Sequence, residues 1–104
     1  MPIKGPTVGS EVSKRRPVLI VSNDANNYAA STVIILPITS NVSRVYPFEV
    51  LLNPDSGLPK QSKVQSQQIR TISKQRITQQ ILGRLDQGMM QLVDAAIKLH
   101  LALD

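Results

Sequence analysis

Apolar positions come as short dense blocks up to residue 85 and then settle into a helical rhythm. Pro17 to Val21 (PVLIV) is an unbroken apolar run rich in β-branched residues, the pattern of a strand buried on both faces. Thr32 to Ile38 (TVIILPI) predicts a second buried strand, and Pro37, which cannot donate to a ladder, marks an edge, a bulge or the strand's end. Val45 to Leu52 (VYPFEVLL) predicts a third, with Pro47 a similar mark. Val64 to Ser73 (VQSQQIRTIS) is more polar and predicts a strand exposed on one side, and Gln79 to Leu85 (QQILGRL) a last short one. The intervening segments 22–31 (SNDANNYAAS) and 53–63 (NPDSGLPKQSK) are rich in turn formers and read as loops.

Asp86 is a good N-cap, and after it Met89, Leu92, Val93, Ala96, Ile97 and Leu103 recur at helical spacing, which predicts a helix over 87–102. His100 shares the face of Val93 and Ile97 and reads as a packed or half-buried helix residue. Short strands followed by one amphipathic helix give an α+β fold, a single domain over residues 1–104 with the helix lying across a sheet or barrel.

The absence of cysteine excludes disulfides and thiolate metal sites. No apolar run approaches the roughly 20 residues of a membrane span, and "MPIKGPTVGS" lacks the apolar core of a signal peptide, so a cytoplasmic location with no membrane partner is expected. Charge adds more: 12 Lys and Arg against 7 Asp and Glu give a net +5, which points to a polyanionic partner. Tyr28, Tyr46 and Phe48 are the whole aromatic complement, too few for a base-stacking platform, so recognition of a nucleic acid would rest on phosphate contacts and hydrogen bonds.

With one histidine and scattered carboxylates, neither a dedicated metal site nor a Ser-His-Asp arrangement is expected. No phosphate-cradling glycine motif is present, so no nucleotide cofactor is expected either. Two polar clusters stand at strand ends. Ser10, Glu11, Lys14, Arg15 and Arg16 precede the first buried strand, and Thr39 and Ser40 follow the second. The plain readings are a solvated basic turn and a hydroxyl turn. One reaction suits such groups without metal or cofactor: cleavage of RNA by its own 2′-hydroxyl. It needs a base for that hydroxyl, neutralisation of the phosphoryl oxygens and a proton for the departing 5′-oxygen. An arginine fork matches phosphate oxygens, a hydroxyl can add a hydrogen bond, and a carboxylate such as Glu11 could be the base.

"GSE" at 9–11, "RPVLIVSND" at 16–24, "TVIILPITS" at 32–40, "QQIRTISKQRI" at 67–77 and "LDQGMMQLVDAAIKLHLAL" at 85–103 stand in an order that resembles the MazF/PemK family of toxin endoribonucleases, from about Pro6 to the C-terminus. The resemblance implies an SH3-like antiparallel β-barrel with a C-terminal helix, the CcdB/PemK-like fold, assembled as a homodimer. It implies metal-independent cleavage of single-stranded RNA at short sequences, leaving 2′,3′-cyclic phosphate and 5′-hydroxyl ends. A cognate antitoxin is the implied protein partner, with DNA bound only through the antitoxin complex. By motif position the catalytic residues are Arg16, Thr39 and Glu11, with Arg16 the phosphate clamp and possible proton donor and Thr39 supporting the transition-state oxygen. Ser10, Lys14, Arg15, Ser40, Gln68 and Arg70 are the implied RNA contacts, Arg15 as a backbone-phosphate contact or a solvated charge. Two departures stand out. Only "MPIKG" precedes the segment matching "PTVGSE", so the family's usual first strand is expected to be missing and an apolar ladder edge exposed; and a commonly acidic position is Gln67 here. The competing implication is a non-catalytic protein on the same scaffold that binds antitoxin and DNA or blocks another target.

Overall fold

Strand β2 (Pro17–Ile20) forms the apolar run ahead of Val21, and its side chains leave in alternate directions. Leu19 enters one apolar cluster, while Val18 and Ile20 enter another on the opposite face, all essentially inaccessible to solvent. The computed structural model describes residues 7–12, 16–78 and 81–103. Around β2 stand β1 (Thr7–Ser10), β3 (Thr32–Thr39), β4 (Glu49–Leu51), β5 (Lys63–Gln65), β6 (Arg70–Ser73) and β7 (Gly83–Arg84). They make one curled antiparallel sheet, a half-barrel in the order β4-β5-β3-β2-β1-β7, with β6 also paired to β3.

Strand β3 organises the sheet. One edge pairs with β2 (Val18 opposite Pro37, Ile20 opposite Ile35). The other edge is shared, by β6 opposite Thr32 to Ile35 and by β5 opposite Ile38 and Thr39. Ile34 turns its carbonyl to β2, accepting from the Val21 amide at 2.9 Å. Three residues on, Pro37 therefore turns its nitrogen to the other edge, into the gap between β6 and β5, where its missing N–H breaks no ladder bond.

Helix α2 (Gln87–Leu101) begins where the Asp86 carboxylate accepts from the Met89 amide at 2.8 Å. Met89, Val93 and Ala96 pack down on Val8, Leu19, Leu36, Val50 and Val64, so α2 covers one face of the sheet. On the other face Val18, Ile20, Val33, Ile35 and Ile72 form a smaller core that stops short of the strand ends.

Several elements differ from the sequence expectation. Residues 22–31, read as a loop, contain helix α1 (Asp24–Ala29), because the same polar residues serve as caps and buried anchors: Asn23 accepts from the Asn26 amide, and fully buried Asn27 donates to the Ser22 carbonyl at 2.8 Å. The third strand is confined to Glu49–Leu51, since the preceding turn returns the Glu49 amide to the Tyr46 carbonyl. The single strand expected over 64–73 is two, broken by a 3-10 turn at Ser66–Gln68. The last strand is Gly83–Arg84, with positions 79–80 outside the described residues. His100 is exposed, its ring 5.3 Å from that of Phe48, rather than packed under the helix. The open edge expected at the start of the chain is closed at β1, which pairs with β2 on one side and β7 on the other.

Candidate functional site

Where the smaller core ends, the same sheet face opens into a cleft of about 1280 Å³. That exceeds the roughly 300–1,000 Å³ typical of small-molecule sites and suits part of a polymer. Alternation along the strands places its walls. In β2 and β3 paired positions sum to a constant, and carrying the register two residues beyond Val18 opposite Pro37 sets Arg16 opposite Thr39. Both then share the face of Val18, away from α2, in the non-hydrogen-bonded type of pair, where facing side chains come closest. Arg16 and Thr39 both line the cleft.

Thr39 is oriented by its own chain: its Oγ1 accepts from the Asn41 amide at 3.2 Å, a local turn that occupies the oxygen and leaves the hydroxyl proton to be donated. Arg16 is exposed and makes no ion pair among the described residues. Its carbonyl accepts from the Glu11 amide at 2.9 Å, which ties the two positions together.

Glu11 is buried at the cleft wall, 4% exposed. Its Oε1 pairs with Arg70 Nη2, and its Oε2 with Arg76 Nη2 at 3.0 Å. Arg70 comes from β6, opposite Ile35, and Arg76 from the 3-10 turn Lys74–Arg76. Backbone bonds strap this wall together: the Val12 amide to the Arg76 carbonyl at 2.7 Å and the Thr78 amide to the Ser10 carbonyl at 2.8 Å.

Of the residues singled out in the sequence, Ser10, Glu11, Arg16, Thr39, Ser40, Gln68 and Arg70 converge on this one cleft, while Lys14 and Arg15 lie outside the described residues. Sequence reasoning missed Arg76, Lys60 and Gln65, which also line it. "SKQR" was within the motif for Arg76, but nothing local shows which way such a turn points. Arg16, Lys60, Arg70 and Arg76 against Glu11 leave the described lining with a formal excess of three positive charges. Among the described residues no three or more His, Asp or Glu side chains gather into a metal-binding group.

A curled sheet under one helix, with a basic cleft lined by an arginine and a threonine, defines a small polyanion-binding protein with groups suited to phosphoryl chemistry. The sequence profile of the PemK-like, MazF-like toxins of type II toxin–antitoxin systems matches residues 3–101. The chain is 40% identical to endoribonuclease MazF9 of Mycobacterium tuberculosis, over 94% of this chain and 87% of that protein. It is also 40% identical to endoribonuclease EndoA of Bacillus subtilis, over 94% and 85%. Among solved structures it resembles an endoribonuclease from a mycobacterial species in complex with its cognate antitoxin, at a TM-score of 0.87 and 25% identity, covering 100% of this chain and 98% of that one. The chain belongs to the PemK-like, MazF-like toxin family.

Proposed function

We propose that this toxin is an endoribonuclease that cuts single-stranded RNA in the cleft without a metal. The observation that carries the reading is that Arg16 and Thr39 line one basic groove, and the β2–β3 register, carried on from Val18 opposite Pro37, sets them opposite one another. A strand's 2′-hydroxyl, losing its proton to solvent water, attacks its own phosphorus; the P–O2′ bond forms as the P–O5′ bond breaks, and the departing 5′-oxygen takes a proton from water. A 2′,3′-cyclic phosphate and a 5′-hydroxyl result. Arg16 neutralises the charge that grows on the phosphoryl oxygens, and it is held on a rigid strand end, so little reorganisation is needed. Thr39 donates its free hydroxyl proton to a phosphoryl oxygen. With both carboxylate oxygens engaged by arginines, Glu11 acts as a positioning residue and not as the base. Ser10, Ser40, Gln68 and Arg70 hold the strand along the groove.

The names of the relatives and the antitoxin complex of a similar fold support a cognate antitoxin as the protein partner, with DNA reached only through that complex. We place the protein in the cytoplasm as a homodimer; among the described residues no helix is long and apolar enough to cross a membrane.

The test is incubation of the protein with mixed-sequence single-stranded RNA in a chelator. Cyclic-phosphate fragments are expected, falling at least about 10²-fold in rate for Arg16→Ala and by roughly 10-fold or more for Thr39→Val, the scale of a lost transition-state donor. Cleavage undiminished in Arg16→Ala rejects the site; cleavage that requires an added divalent ion rejects the mechanism.

A further inference from the structure

We infer that Arg70 and Arg76, spread by the Glu11 carboxylate, form a second phosphate subsite in the cleft that takes a phosphodiester further along the strand from the one at Arg16 and Thr39. This rests on the ribonuclease reading. The geometry of the triad carries it. A buried carboxylate with one arginine on each oxygen has a net charge of +1, so the wall still attracts an anion. Glu11 is bonded to one Nη2 of each guanidinium. A guanidinium has five N–H donors, so each has donors to spare. The two side chains are 45% and 49% exposed and both line the cleft. The carboxylate has already fixed their rotamers, so a bound phosphate does not have to order two long side chains.

Spacing assigns a different phosphate. Arg70 sits opposite Ile35, four residues before Thr39 on β3, about 13 Å along the strand at roughly 3.3 Å per residue. Glu11 is tied through its amide to the Arg16 carbonyl, so the two subsites are joined by a backbone hydrogen bond. The subsite would thereby set where along an RNA strand the reacting phosphate falls.

The experiment uses the full chain and a mixed-sequence RNA 2′-O-methylated throughout, which lacks the nucleophile. Affinity is measured against salt for the native protein, Arg76→Ala and Arg76→Lys, with cleavage kinetics on unmodified RNA in parallel. Arg76→Ala is expected to weaken binding about tenfold and to reduce the slope of log K against log salt by about 0.7, the counterion release of one single-strand phosphate contact. Arg76→Lys, which keeps the charge and loses the fork, falls between; it decides the matter if Arg76→Ala does not fold. In cleavage KM carries more of the loss than kcat. Glu11→Gln raises KM in the same way and leaves the pH profile of kcat in place. Native affinity and salt slope in both Arg76 variants overturn the subsite. Loss of kcat with a displaced pH profile in Glu11→Gln, at native affinity, makes Glu11 the base and overturns its positioning role. A native protein that never cleaves RNA sinks the ribonuclease reading by itself, while the salt slope on methylated RNA still judges the subsite.

Discussion

Glu49 is buried and held by three donors: Lys63 Nζ at 2.8 Å, Gln67 Nε2 at 2.7 Å and the Tyr46 amide at 3.0 Å. Burial pushes its carboxyl upward, but the hydrogen bonds from Lys63, Tyr46 and Gln67, with the charge of Lys63, outweigh it and hold the group below its ordinary 4.5. A carboxyl lowered by folding contributes stability that is complete above the ordinary value and is lost as pH falls through the lowered one. At neutral pH Glu49→Gln leaves the Lys63 ammonium, 9% exposed, with the Arg44 carbonyl but without its counter-charge, and should cost about 1.5–3 kcal/mol. Urea midpoints measured from pH 7 down to 3 should show that deficit shrinking once pH falls below about 4.5, where the unfolded carboxyl takes up its proton, and vanishing as pH passes through the lowered native value. A deficit constant with pH would mean that Glu49 acts through packing alone. The same contact explains the amide at position 67: an acid there would set a second carboxylate against Glu49 Oε2. How legible a residue was depended on its distance from a readable landmark. Arg16 and Thr39 flank apolar runs that announce strands, so their common place on the cleft follows from strand pairing. The partners of Glu11 lie 59 and 65 positions away in the chain, and no local pattern encodes that convergence.

Strands β2 and β3 and helix α2 were legible because each has a sustained period with long apolar content. The polar elements were not: Thr7–Ser10, α1 and the break at Ser66–Gln68 depend on partners elsewhere in the fold. The clearest case is the crossing of the 3-10 turn Pro54–Ser56 with β7. Gly57 ends that turn at φ +90°, and a Cβ there would strike the Leu82 carbonyl. From the other side, a Cβ on Gly83 would strike the Ser56 carbonyl. Backbone therefore lies on backbone, with no flexible side chain to yield. Gly83→Ala should cost about 1–3 kcal/mol or more in urea unfolding, the scale of overpacking, whereas Gly88→Ala, whose new Cβ would meet only the Asp86 side chain at 3.4 Å, should be near neutral or stabilising. Equal effects at the two glycines would mean that the crossing can separate at little cost.

The cleft and helix α2 divide the protein's contacts. No residue of α2 lines the cleft, so α2's outer side is free to meet another chain without blocking the groove. That side shows leucines where a solvated helix would show charge: Leu92 and Leu99 are 56% and 57% exposed, seven positions apart on one stripe. A second copy of the chain fits such a surface better than an acidic ligand would, because like charges need not approach: the excess of three positive charges lies in the cleft. If two copies meet along α2, Leu92→Asp with Leu99→Asp should reduce the mass measured by light scattering to that of one 11.4 kDa chain. The helical signal and thermal midpoint should persist, since both side chains already face solvent in the single chain. An unchanged dimeric mass would move the contact off α2, while a native protein that is already monomeric would leave the leucine stripe to the antitoxin. The basic cleft and the leucine stripe would then serve RNA and protein from different parts of the surface, and an antitoxin seated on α2 alone would leave Arg16 and Thr39 uncovered, since no α2 residue lines the cleft.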